Sequence, residues 1–180
     1  MVRSRRSSPG VTRRELMLAR GGAALLAGLG FISLGETAGA GEARGCAADQ
    51  AGYSALLDRY VAAVNAHDTR LFPDLFTETY IQHSGRSPSG LAAQIANFQR
   101  IYANWPDFHS TVDDRIFGGD KIVARTTLTA THSRPVQGFA PTGKRVRWRT
   151  VDIWRVEGGK LAEHWDIVDV AALQRQLRGG

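Results

Sequence analysis

The sequence predicts a single α+β domain in which helices come first and an antiparallel sheet follows. Apolar residues recur at helical spacing between Tyr53 and Tyr102, whereas the chain from His109 to Val168 alternates with a period of two and carries turn residues between its runs. With 180 residues the chain can bury one substantial core and not comfortably two. The sequence holds no internal repeat, phosphate loop, Cys/His metal box or Gly-x-Ser-x-Gly elbow.

Residues 1–40 have the order of an export signal: an arginine-rich start, an apolar stretch from Gly21 to Leu34, and Ala38-Gly39-Ala40 as a small-residue cleavage site. Thr12-Arg13-Arg14-Glu15-Leu16-Met17-Leu18 resembles the twin-arginine motif, with Leu18 where a lysine is common. The apolar run, about 14 residues, is short of the roughly 20 that span a bilayer. The expected outcome is export, cleavage near Gly41 and no stable membrane anchor. Cys46 is the only cysteine, so no intramolecular disulfide can form. Gly45-Cys46 leaves a lipid-anchor reading open, which Arg44 and the distance from Leu34 oppose. Residues 41–49 read as a flexible linker, and the domain as 50–178.

The formal charge of +6 belongs mostly to the leader, which holds six of the 23 basic residues. From Gly41 onward 17 basic residues face 15 acidic ones, a balance of +2, which argues against a nucleic-acid partner.

Tyr53, Leu56, Leu57, Tyr60, Val61 and Val64 predict a first helix ended by Asn65-Ala-His-Asp68, with a shorter helix over 69–76. Glu78 to His83 reads as a strand. Ser87-Pro-Ser-Gly90 reads as the cap of a helix whose apolar face is Leu91, Ile95, Phe98, Ile101 and Tyr102. Strands are then expected at 109–117, 121–132, 145–156 and 161–168, followed by a closing helix at 171–177. Arg145, Arg147 and Arg149 alternate along one strand, which reads as a solvated outer face.

The last two strands form a hairpin around Gly158-Gly159. If Glu157 pairs with Lys160 and the register stays regular, His164 falls opposite Ile153 and Asp166 opposite Val151. His164 and Asp166 then share one face, and Asp152 lies with Trp165 on the other. A single bulge would reverse the placement of Asp152.

Several segments in order carry a family resemblance: Tyr80-Ile-Gln-His83, Trp105-Pro-Asp-Phe108, Gly118-Gly-Asp-Lys-Ile-Val-Ala-Arg125, Thr131-His132, Gly138-Phe-Ala-Pro-Thr-Gly-Lys-Arg145, Val151-Asp-Ile-Trp-Arg155 and Gly159-Lys-Leu-Ala-Glu-His-Trp-Asp166. The chain from about Gln50 to Leu177 resembles the SnoaL-like polyketide cyclase (ester cyclase) family of the nuclear transport factor 2-like superfamily. The resemblance implies a cone of curved antiparallel sheet closed by helices around an apolar pocket, commonly in a homodimer. It also implies an intramolecular aldol closure that uses neither metal nor cofactor, in which an aspartate removes a proton from carbon beside a carbonyl. Asp166 matches that aspartate.

Asp166 is therefore the candidate base, with His83 and His164 as assisting groups. Its bland alternative is an ion pair with Arg147 or Arg149. Tyr80, Trp105, Phe108, His132, Asp152 and Trp154 are candidate pocket residues. The leading expectation is a small cofactor-independent enzyme acting on an apolar carbonyl compound. The alternative is an exported, non-catalytic module that binds an apolar ligand in the same pocket.

Overall fold

The computed structural model describes residues 38–178, with side chains from Asp49 onward. Residues 1–37 of the leader, with the twin-arginine segment, and the side chain of Cys46 lie outside the described residues. Helix α1 (Ala38–Asn65) includes the 41–49 segment that reads as a linker. Ala43, Ala47 and Ala48 supply helix propensity there against Gly41 and Gly45.

Asp68 starts a 3₁₀ turn (Thr69–Leu71) by accepting the Arg70 amide hydrogen, and the turn continues into the short α2 (Phe72–Leu75). Strand β1 (Phe76–Gln82) leads to α3 (Leu91–Asn104). The expected serine cap of α3 does not form. Gly90, at φ +100°, occupies the cap position, and the Ser89 hydroxyl instead accepts the Gln82 amide hydrogen.

Strands β2 (His109–Gly118), β3 (Lys121–Thr131), β4 (Arg145–Glu157) and β5 (Lys160–Val168) make the antiparallel meander, and Asp169 caps the closing helix α4 (Val170–Leu177). Strand order is β1-β5-β4-β3-β2, with β1 parallel to β5 at the edge, so the sheet is mixed. Phe72, Phe76, Leu57, Ile122, Leu161, Trp154 and Leu177 form the core between sheet and helices.

The inner face of β4 carries Val146, Trp148, Thr150, Asp152, Trp154 and Val156, all buried. Arg145, Arg147 and Arg149 are exposed on the outer face. Two of them are engaged there: Arg145 reaches Asp107 and Thr129, and Arg147 reaches Thr127.

The regular hairpin register does not hold. Glu157 pairs with Lys160 and Val156 with Leu161, but Arg155 then pairs with Glu163, so Ala162 is an extra residue in β5. Leu161 and Ala162 are both buried in succession, which a strictly alternating strand does not allow. Beyond this bulge Trp154 pairs with His164 and Asp152 with Asp166. Asp152 therefore joins His164 and Asp166 on the inner face rather than opposing them.

Candidate active site

Between the inner face of the sheet and the helices lies a cavity of about 360 Å³. Its apolar wall includes Leu57 and Tyr60 of α1, Phe98 and Ile101 of α3, and Trp105, Phe108, Trp148 and Trp154. Trp148 lies 5.5 Å from Trp105 and 6.1 Å from Phe108 between ring centroids, so these rings close one end of the cavity. The ionisable wall consists of Asp152, His164, Asp166 and Arg86.

The bulge sets the geometry of this group. His164 stacks on Trp154 at 5.0 Å and 7°, and its Nε2 lies 3.0 Å from Asp152 Oδ1. The Thr150 hydroxyl donates to the same oxygen at 3.3 Å. On the other side of the ring, His164 Nδ1 lies 2.9 Å from Gln82 Nε2, because the parallel β1–β5 pairing sets Gln82 beside His164. The Asp152 carboxylate is thus held by His164 and Thr150 in a nearly dry place.

Asp166 is held differently. Its Oδ2 pairs with Arg86 Nη2 from the loop between β1 and α3, and its Oδ1 is shielded from solvent with no hydrogen-bond partner. A buried carboxylate oxygen without a donor is costly, and in a cavity wall it marks a place where a donor or an acidic C–H can be received. The ion pair expected as the bland alternative does exist, but with Arg86 instead of an arginine of β4.

Two tyrosines sense this negative charge. Tyr60 lines the cavity with its ring edge on Trp154 at 5.3 Å, and burial, then the charge of Asp152, push its phenol well above the ordinary range. The same two causes in the same order raise Tyr80. Both phenols stay protonated.

Asp166, His164, Asp152, Trp154, Trp105 and Phe108 all reach the cavity. His83 does not. It sits on the outer face, stacked on Trp165 at 4.3 Å and bonded through Nε2 to Glu163 at 2.8 Å. It lies one residue past Gln82, and the pleat sends successive side chains to opposite faces. Tyr80 faces inward but is fully buried against Phe76, behind the wall and not in it. His132 is also fully buried, bonded through Nδ1 to Thr142 and packed near Trp105, and supports the 132–144 loop from outside the cavity.

Gln82, Arg86, Tyr60 and Thr150 are the site residues that sequence reasoning passed over. Gln82 was accessible to it, since Tyr80 and Gln82 alternate onto one face. Arg86, in an irregular loop, had no periodic signal.

Asp152, His164 and Asp166 present ligand atoms within 4.8 Å of one another, close enough to share a divalent ion. Such an ion would have to displace Arg86 from Asp166 and the hydrogen between His164 and Asp152, so these residues fit a metal poorly as they stand.

Residues 54–177 match the sequence profile of the SnoaL-like polyketide cyclases. The chain belongs to that family. Among solved structures, TsrD from Streptomyces laurentii is 31% identical with a TM-score of 0.66, over 71% of this chain and 95% of that one. AclR from Streptomyces galilaeus, a proposed hydroxylase, is 28% identical with a TM-score of 0.63, over 71% and 96%. IdmH from Streptomyces antibioticus, a proposed polyketide cyclase, is 26% identical with a TM-score of 0.62, over 69% and 97%. No curated protein matches the sequence. Family and fold are thereby those of the SnoaL-like, nuclear transport factor 2-like proteins.

Proposed function

We propose that this SnoaL-like protein is a cofactor-independent acid–base enzyme acting on an apolar molecule that carries a carbonyl group, with Asp166 as the base. The observation that carries this reading is the bare, buried Oδ1 of Asp166 in the wall of a cavity whose opposite wall is aromatic and aliphatic. A carboxylate oxygen that accepts no hydrogen bond keeps its lone pairs free for a proton, whereas Asp152 Oδ1 is committed to His164 and Thr150.

In this mechanism Asp166 Oδ1 takes a proton from carbon next to the carbonyl, and the C–H electrons move onto the carbonyl oxygen. Arg86 is the nearest mobile cation to that developing charge. Paired with Oδ2, the guanidinium leaves Oδ1 free for the proton and stays beside the enolate as it forms. In a cyclase the enolate carbon then attacks a second carbonyl of the same molecule, and the new alkoxide recovers the proton from Asp166. His164 holds Asp152 in place and does not itself exchange protons with substrate.

The test is turnover of ketones, polyketide-like esters and epoxides by the protein lacking residues 1–40. Turnover that collapses in Asp166→Asn while ligand binding persists supports the enzyme. Tight binding without turnover in the parent across that set favours the ligand-binding module instead.

We also propose that the leader exports the protein through the twin-arginine route, which replacement of Arg13 and Arg14 by lysine should block. The outer sheet face exposes Val151 and, at 78%, Ile167, paired across β4 and β5. We assign this face to a homodimer contact. Ile167→Arg should then give a monomer in analytical ultracentrifugation, and an unchanged dimer, or a monomeric parent, removes the assignment.

A further inference from the structure

Gln82 bonds in two directions, and one of them fixes its amide. The Ser84 backbone N–H donates to Gln82 Oε1 at 3.2 Å. A backbone N–H can only donate, so the atom facing it must be the oxygen, and the NH₂ group must be the one that faces His164 Nδ1 at 2.9 Å. The amide nitrogen has hydrogens and no lone pair to offer. His164 Nδ1 is therefore an acceptor, and the ring hydrogen sits on Nε2, directed at Asp152 Oδ1.

The far end of the chain of bonds makes the same demand. Asp152 Oδ1 already receives the Thr150 hydroxyl and, as a carboxylate oxygen, can only accept from His164. The ring is stacked on Trp154, His164 is 7% exposed, and both of its ring nitrogens already face protein partners. A doubly protonated ring would set Nδ1–H against the Gln82 NH₂ group, hydrogen against hydrogen.

We propose that Gln82 is a positioning residue that locks His164 as the neutral tautomer carrying its hydrogen on Nε2, through an amide whose orientation the Ser84 backbone dictates. The chain Ser84 N–H, Gln82, His164, Asp152 runs in one direction, each group donating to the next. Its consequence is that His164 has no proton to release from Nδ1, and that Asp152 is kept as a hydrogen-bonded anion beside the free oxygen of Asp166. This bears on the acid–base function proposed above, but the tautomer exists without substrate and can be read without turnover.

The measurement is ¹⁵N NMR of the histidine ring in the folded parent at neutral pH, with the His164 signals assigned by their loss in His164→Asn. One pyridine-type nitrogen at Nδ1 and one pyrrole-type nitrogen at Nε2 are expected, the Nε2–H form exceeding the other by about tenfold or more, since the alternative leaves a buried donor unpaired. A scalar coupling across the hydrogen bond between Gln82 Nε2 and His164 Nδ1 is expected as well, and it separates the action of Gln82 from that of Asp152 alone. Gln82→Glu keeps the size and offers only acceptors, so its ring should carry hydrogens on both nitrogens at the same pH. A parent ring with hydrogen on Nδ1, no coupling to Gln82, or a folded Gln82→Glu variant with an unchanged ring spectrum overturns the proposal. If the lock is present and no substrate is ever turned over, the proposed enzyme fails while the tautomer assignment stands.

Discussion

The β4–β5 hairpin carries nearly the same residue types on both faces, and only one face borders the cavity. Inside, His164 stacks on Trp154 and bonds Asp152, with Asp166 and Arg86 alongside. Outside, His83 stacks on Trp165 and bonds Glu163, which also receives Arg155 Nε at 2.6 Å. Each face has a histidine on an indole, a carboxylate on the histidine and an arginine on a carboxylate. What differs is surroundings and saturation. Glu163 has both oxygens occupied near bulk water, whereas Asp166 keeps one oxygen bare, out of solvent, in the wall of a cavity. In the proposed reaction the uncommitted lone pair in low dielectric is what sets the inner face apart, and the residue types alone do not separate the two faces.

The largest expected effect breaks this difference directly. Asp166→Asn preserves shape and removes the proton acceptor, so kcat should fall by ~10²–10⁴-fold with KM little changed. His83→Gln, in the matching histidine position of the outer face, should leave turnover unaltered. Equal losses in the two variants would mean that the cavity is not where the chemistry happens.

Next in size is the cost of breaking each histidine–carboxylate pair. Asp152→Ala leaves the His164 Nε2–H and the Thr150 hydroxyl without their acceptor in a buried place, which should lower unfolding free energy by about 1–3 kcal/mol. On the outer face solvent replaces a lost partner, so Glu163→Ala should cost clearly less. Urea denaturation of both variants checks the order, and a larger loss for Glu163→Ala contradicts it.

The two faces were also unequally legible in sequence. Helix-then-meander order and the hairpin around Gly158-Gly159 followed from periodicity, which is local. The grouping of Asp152 with His164 and Asp166 did not, because one inserted residue, Ala162, moves every later side chain of β5 relative to β4. The apolar pair Leu161-Ala162 in an otherwise alternating strand was the available sign. His83 was misplaced for the same reason of parity, being one residue beyond the inward Gln82. Arg86 was out of reach, since its position depends on the path of an aperiodic loop.

The smallest expected effect sharpens the comparison through pH. The hydrogen bond from His83, followed by the one from Arg155, holds the Glu163 carboxyl below the ordinary glutamate range. A carboxyl lowered in the folded state contributes stability that is fully present above its unfolded value and is lost as pH falls through its folded value. Glu163→Gln should therefore melt below the parent at neutral pH, and the gap should close on acidification, as the parent's own carboxyl takes up a proton. Because solvent still reaches this half-buried group, the gap should be small and should narrow with added salt. Thermal melts of the two proteins from neutral to acid pH at low and high salt make the measurement. A gap that stays constant into the acid range would mean that the loss comes from the variant's amide NH₂ facing the His83 and Arg155 donors and not from the charge of Glu163, and the outer face would then be no ionic counterpart of the inner one.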